Sequence, residues 1–346
     1  MIAFNSVLRY KGKQSDPQTV GRELNVRTVL MSRLVQRGDE LSISTELIDV
    51  RDNRRLWGER YERNISNLPS VPRELAKQIT NELRLRLTGE DQKHLDMRST
   101  ENTEAYQLYL KGRYYWNKGT RDGEEKAVGY FQQAIYKDPN YARAYSGLAD
   151  CYIVLVDSFG LTAEEGFSNA RAAATKALEL DDTLAEAHTS LAAIKDSYDW
   201  DWPGAEQEHR RAIELNPNYL WTHRNLGLNY EQKKMFPEAI AEFEKVRELS
   251  QGQAGGIALG HAYAVAGKRD EAFKIIDRLQ ERKGKAWAVA PIYAGLGEKD
   301  QAFEWLEKAY EEHDPQLIDL KVDPRFDNVR SDPRFTDLLR RMKLNT

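Results

Sequence analysis

The apolar positions in the second half of the chain recur at fixed offsets. Counting from Gly227, the residues Tyr230, Ala239, Phe243 and Val246 follow at +3, +12, +16 and +19. Gly260, Tyr263, Ala272, Ile276 and Leu279 repeat those offsets, and so do Ala290, Tyr293, Ala302, Leu306 and Ala309. Within each set the apolar residues fall on one stripe of a 3.6-residue period, broken once near the middle, which predicts two amphipathic helices joined by a turn. The frame extends upstream with insertions at that turn. Gly112, Tyr115, Ala127, Phe131, Ala134 and Pro139 carry three extra residues; Ala149, Tyr152, Ala170, Ala174 and Ala177 carry nine; Ala192, Ala205, His209, Ala212 and Pro217 carry one. "DPN" and "NPN" end second helices, because proline cannot continue a helix and asparagine opens a turn.

Six such units cover roughly Thr103–Pro315. The pattern of a small residue, a tyrosine, alanine, an aromatic residue, alanine and proline resembles the tetratricopeptide repeat. No single hairpin can bury its apolar face, so the resemblance implies a solenoid of stacked hairpins. The stretch "YDWDWPGAEQEHRRAIELNPN" then falls at the inter-helix turn of the third unit. Asp199 and Asp201 are expected to cap or solvate that turn, and Trp200 and Trp202 to pack against the adjoining hairpin.

Before Ser99 the period changes. "DPQTVGRELNV" reads as a short helix capped by Asp16. Val29–Gln36 and Leu41–Val50 alternate as strands around the turn "RGDE", and a third strand follows at Arg55–Glu62. "LPSVPRELAKQITNELRLRL" is an amphipathic helix with Leu75, Ile79 and Leu83 on one face. The string "VGRELNVRTVLMSRLVQRGDELSISTELIDVRDNRRLWGERYERN" looks like the TolB-amino-terminal-like (FlgO-related) module, over about residues 5–90. That module commonly precedes tetratricopeptide arrays in large bacterial regulators, after a winged-helix, Ser/Thr kinase or adenylate-cyclase-type domain. Here its first strand and helix have no counterpart, and "NSVLRYKG" sits where its second strand would be. That predicts either an unpaired sheet edge or a start other than Met1, and an open edge invites association. The expected fold is mainly α: an α/β module over residues 1–98, about six repeat units over 99–315, and a helical cap over 316–346. The cap rests on two "DPRF" copies, in each of which Asp-Pro starts a helix.

Composition narrows the function. The chain has 346 residues, 31% of them charged, with a net charge of −4. Residues 1–98 hold 18 Lys/Arg against 14 Asp/Glu, an excess too small and too mixed to be a nucleic-acid footprint. The Arg51–Arg63 segment is the strongest basic stretch, and its interleaved acids predict surface ion pairs. Cys151 is the only cysteine and sits in an apolar helix, which excludes a disulfide framework or thiolate cluster within one chain. No run is apolar enough to span a membrane and the start lacks a signal-peptide core, so the default location is cytoplasmic.

No catalytic constellation appears. His94, His188, His209, His223, His261 and His313 show no metal-ligand spacing. His188 and His223 occupy equivalent repeat positions, which packing within the array explains. "AVAGKRDEA" lacks the upstream glycine and the Ser/Thr of a P-loop. The expectation is a non-enzymatic chain without cofactor or metal.

A repeat array binds through the face lined by the first helix of each unit. By helix phase the exposed candidates on that face are Tyr106, Tyr109, Arg113, Trp116 and Asn117, then Arg143 and Asp150, then Thr189, then Trp221 and Arg224. Aromatic residues and arginine are the usual anchors for an extended peptide. The Lys/Asn carboxylate clamp of chaperone-binding repeats is not reproduced; Tyr109 and Arg113 stand where it would begin. The expected partner is a protein or peptide, with homo-oligomerisation through the N-terminal module a further route to assembly. The alternative is the regulatory portion of a kinase, cyclase or winged-helix regulator whose effector domain lies elsewhere.

Overall fold

The computed structural model describes residues 10, 12, 15–24, 26–82, 100–280 and 286–344. They form two compact units, Ile2–Pro217 and Asn218–Thr346, which divide inside the hairpin array. The strand expected at "NSVLRYKG" (apart from Tyr10 and Gly12), Leu83 and His94 lie outside the described residues.

The first unit opens with helix α1 (Pro17–Leu24), whose N-terminus is capped by the Asp16 carboxylate accepting from the Thr19 amide at 2.9 Å. Strands β1 (Thr28–Arg37), β2 (Glu40–Asp49) and β3 (Arg54–Asn64) form an antiparallel sheet in the order β1-β2-β3. Arg37 faces Glu40 across a two-residue turn, where Gly38 takes φ +60°, a left-handed value that favours glycine. Alternation then sorts the side chains. Leu41, Ile43, Thr45 and Leu47 are buried on one face, where Ile43 and Tyr61 meet Val71 and Leu75 of α2 (Val71–Glu82). Val29 lies on the other face with Val20 and Leu24 of α1. Gly21 is needed there, because a Cβ would come within 2.5 Å of Val50. The arginines of the Arg51–Arg63 stretch are engaged in ion pairs, among them Arg55–Glu46 at 3.2 Å and Arg63–Glu74 at 2.9 Å. Both Arg27 and Arg51 reach the buried Asp49, and the Arg51 hydrogen bonds hold its carboxyl well below the usual range.

Three hairpins follow: α3 (Thr103–Trp116) with α4 (Arg121–Lys137), α5 (Ala142–Phe159) with α6 (Ala163–Leu180), and α7 (Ala185–Ile194) with α8 (Trp202–Leu215). Asn102, Thr120 and Asp201 cap α3, α4 and α8 by accepting from backbone amides at 3.0–3.1 Å. The repeat's small positions have a direct cause. Phe131 is fully buried between two helices, and a Cβ on either Gly112 or Gly147 would lie 2.6 Å from its ring. The first helices adjoin one another: α5 packs against both α3 and α7.

The turn of the third hairpin corrects one expectation. A π-helical turn at Lys195–Asp199 ends α7, and Trp200 follows at φ 56°. Trp200 is 74% exposed rather than packed on the adjoining hairpin, because the left-handed backbone turns its side chain outward. Trp202 is half-buried at the first turn of α8, and Asp199 pairs with Arg171 at 2.6 Å.

The second unit holds α9 (Leu220–Gln232) with α10 (Phe236–Leu249), α11 (Gly256–Val265) with α12 (Arg269–Gln280), and α13 (Ala286–Gly295) with α14 (Lys299–Glu311). Gly227 repeats the Gly112 contact, with a Cβ 2.5 Å from Phe243. The two "DPRF" copies fold alike. Asp323 and Asp332 each accept from the amide two residues on at 3.0 Å, and Arg325 and Arg334 fold back onto the same carboxylates. One copy starts a 3-10 turn and the other α15 (Pro333–Arg341). Phe326, Val329, Phe335 and Leu338 are thereby buried with Trp287, Phe303 and Leu306, so the tail covers the last hairpin's apolar face.

Candidate functional site

The expected binding residues of the first unit converge on the adjoining helices α3, α5 and α7. The Tyr109 ring lies 5.2 Å from Tyr141 and 5.8 Å from Phe131, with Tyr106 at 6.5 Å. One turn on, the Arg113 guanidinium sits 4.3 Å over the Trp116 ring. Arg113 Nη1 also stands 3.6 Å from Asp150 Oδ2 on α5. Asp150 Oδ1 accepts from the Ser190 hydroxyl of α7 at 2.7 Å. Arg143 is exposed on α5, within the electrostatic reach of Tyr109 and Glu186. The face is therefore a tyrosine pair, an arginine stacked on indole, and a carboxylate shared between two helices.

Its electrostatics follow from burial. Burial pushes the Tyr109 and Tyr106 hydroxyls up. It pushes the Asp150 carboxyl up to about 6, against the opposing pull of Arg113 and Ser190. Behind Asp150 lies Glu124 of α4, 1% exposed, whose carboxyl burial pushes up to about 7 while a hydrogen bond with Cys151 holds it down. Trp116 Nε1, Asp150 Oδ2 and Glu124 Oε2 are buried without a hydrogen-bond partner among the described residues.

Two expected residues are occupied within their own helices. Thr189 is buried and its hydroxyl donates to the Ala185 carbonyl at 2.9 Å, so it is absent from the accessible face. Asn117 is exposed, but its side-chain amide donates to the Arg113 carbonyl at 2.7 Å at the end of α3. Trp221 and Arg224 lie in the second unit, where the guanidinium is 5.8 Å over a ring that is 40% exposed. Helix phase did not single out Glu124 and Ser190. Glu124 had a signal, since it stands three and seven residues before Ala127 and Phe131, on the buried stripe of α4.

Every repeat-position histidine of the array has a carboxylate partner. His188 Nδ1 lies 2.7 Å from Glu208, His223 Nδ1 2.6 Å from Glu242, and His261 Nδ1 2.6 Å from Glu231. His209 Nε2 lies 3.0 Å from Asp196. Among the described residues no group of His, Cys, Asp and Glu could hold a metal ion, and no helix is long and apolar enough to cross a membrane.

Two-helix units repeat with a glycine seated against a buried aromatic ring, at Gly112 and Phe131 and again at Gly227 and Phe243. The repeat is of the tetratricopeptide type. No family model matches the chain. It is similar to Putative adenylate cyclase 3 of Rhizobium meliloti (strain 1021), 28% identical over 193 residues, which cover 56% of this chain and 33% of that protein. It is also similar to Superkiller protein 3 of Schizosaccharomyces pombe, 29% identical over 204 residues, covering 56% of this chain and 14% of that protein. The chain thus matches a third or less of the length of these relatives. Among solved structures, the APC/C hetero-tetramer Cut9-Hcn1 matches with a TM-score of 0.49 and 18% identity, over 80% of this chain and 47% of that one. This tetratricopeptide array places its aromatic and charged candidates on first helices, the elements that adjoin one another within the first unit.

Proposed function

We propose that the chain is a non-enzymatic scaffold that holds a protein or peptide partner across its first-helix face. The observation that carries this reading is the grouping of Tyr109, Arg113, Trp116 and Asp150 on adjoining first helices, with the Arg113 guanidinium stacked on the Trp116 ring and paired with Asp150. Stacked arginine and buried aromatics supply the anchoring area. No cofactor enters this function, and no nucleic acid is called for.

The match to part of an adenylate cyclase favours a second reading, in which the chain is the regulatory portion of a larger bacterial signalling protein. The sheet-bearing segment before the array would then be the TolB-amino-terminal-like attachment. Reading the genomic DNA upstream of Met1 tests this, since an in-frame cyclase, kinase or winged-helix domain is expected.

The scaffold reading is tested by selecting peptides from a random display library on the immobilised chain. Arg113→Ala and Asp150→Asn should each weaken the selected peptides at least tenfold, while Trp200→Ala leaves them unchanged. Peptides whose affinity ignores both changes would move the binding site off this face.

A further inference from the structure

We propose that strand β1 is an interface with a second copy of this chain, formed by antiparallel pairing centred on Ser32. β1 is the first strand of the sheet, and among the described residues only β2 pairs with it. The Val50 amide donates to the Arg27 carbonyl at 3.0 Å, and the two residues continue the β1–β2 register. Antiparallel hydrogen-bonding alternates, so Val29, Met31, Arg33 and Val35 bond toward β2. Thr28, Leu30, Ser32, Leu34 and Gln36 therefore turn their N–H and C=O groups to the open edge.

The side chains of that second set share a sheet face with the buried Leu41, Ile43, Thr45 and Leu47 of β2. The apolar face thus runs on to the edge and ends uncovered, with Leu30 42% and Leu34 57% exposed. Natural edges are blunted by proline, by a bulge or by a charge on the inward face. β1 has no proline, its arginines 33 and 37 lie on the opposite face, and the sheet's one irregularity falls between β2 and β3.

A second copy fits because the strand is self-complementary. "VLMSRLV", Val29–Val35, reads alike in either direction about Ser32 except at Met31 and Arg33. An antiparallel copy with Ser32 opposite Ser32 places Leu30 opposite Leu34 and Val29 opposite Val35. It also sets Met31 opposite Arg33, with no like charges facing within that stretch. A shift centred on Arg33 would put arginine opposite arginine in the middle of the pairing, whereas the Ser32 register brings Arg27 and Arg37 together only at its ends, and a shift centred on Met31 would put Leu30 opposite Ser32. The favoured register is two-fold symmetric and closes on itself, so it gives a dimer and not a fibre. The interface is one strand pair and four leucines, so the equilibrium is weak and depends on concentration.

Disulfide trapping reads the register directly. In the full chain, Ser32→Cys adds one exposed thiol to a background whose sole cysteine, Cys151, is buried. Hydrogen-bonded opposite residues are about 5.5 Å apart at Cα, within disulfide range. Mild oxidation should give a covalent dimer of Ser32→Cys on a non-reducing gel. Gln36→Cys alone should stay monomeric, because Gln36 faces Thr28 in this register, and Thr28→Cys mixed with Gln36→Cys should cross-link. Leu34→Glu should raise the dimer dissociation constant at least tenfold in sedimentation equilibrium, with an unchanged circular dichroism spectrum. A Ser32→Cys chain that stays monomeric overturns the proposal, whether the edge is covered by the chain's own first residues or by nothing. Equal cross-linking of Ser32→Cys and Gln36→Cys also overturns it, since that would be random collision.

Discussion

The Ser190 hydroxyl lies 2.7 Å from Asp150 Oδ1, so the first helix of the third hairpin holds a carboxylate carried by the second. Ser190 is 2% exposed, and removing its hydroxyl leaves a half-buried carboxylate with one fewer donor. Ser190→Ala should therefore lower the unfolding free energy by about 1–2 kcal/mol. The loss should shrink in an Asp150→Asn background, where no full charge needs the donor. A urea-unfolding double-mutant cycle measures this, and additive losses would show that the two residues do not act together.

Glu124 makes the first unit's stability depend on pH. Burial raises its carboxyl from 4.5 to about 7, so the fold favours the protonated form. That contribution is complete below about pH 4.5, where both states are protonated, and is lost as pH rises through about 7. Asp150, raised to about 6, acts in the same direction over a lower window. Glu208 opposes them at the acid end: its hydrogen bonds from His188 and Lys195 hold it down at about 2, so its support fades as pH falls from about 4.5. Stability should thus peak on the acid side of neutrality. Glu124→Gln should flatten the decline between about pH 4.5 and 7, worth on the order of 1–3 kcal/mol. Thermal melts across that range decide it, and an identical decline in the variant would remove Glu124 as the cause.

Most of the architecture was legible because two periodicities are strong. The repeat offsets located the hairpins from Gly112 to Ala309, and alternation located the three strands of the described residues. The candidate face was legible only in part. Helix phase gave Tyr109, Arg113, Trp116 and Asp150 but also Thr189, whose hydroxyl turns back to its own helix. Phase assigns a face to a residue but does not say whether a short side chain clears its neighbours. Glu124 escaped notice because an acid on an apolar stripe reads as an interruption of it, whereas here the Cys151 thiol and the helix packing keep it inside. The exposed Trp200 escaped because its left-handed φ arises from a π-helical turn, which offsets counted along a regular helix do not contain.

That same Trp200 backbone yields a stabilising change. A bulky residue at φ 56° carries strain of about 1–3 kcal/mol, and the 74% exposed ring returns little packing. Glycine relieves the strain but adds freedom to the unfolded chain, costing roughly 0.5–1 kcal/mol. Trp200→Gly should therefore raise stability by about 0.5–1 kcal/mol in urea unfolding. A loss above 1 kcal/mol would mean that the ring is held by contacts stronger than its exposure indicates.

Phe131 links two first helices through two glycines, and this sets the sharpest test of the repeat's packing. A methyl on Gly112 would meet the ring 2.6 Å from Cε1, and one on Gly147 would meet it 2.6 Å from Cζ. The ring is fully buried and cannot swing into solvent. Helix propensity alone would make either Gly→Ala change favourable by about 1 kcal/mol. Overpacking opposes it with about 1–3 kcal/mol, and the ring's confinement between both helices puts the cost at the upper end. Gly147→Ala should thus destabilise the first unit, and Phe131→Leu combined with Gly147→Ala should recover part of the loss by making room. Gly129, on the same helix as Phe131 but with nothing within 4 Å of a built Cβ, supplies the contrast. Gly129→Ala should stabilise by propensity alone. If Gly147→Ala and Gly129→Ala shift urea midpoints in the same direction, close approach to Phe131 is not what requires the glycine.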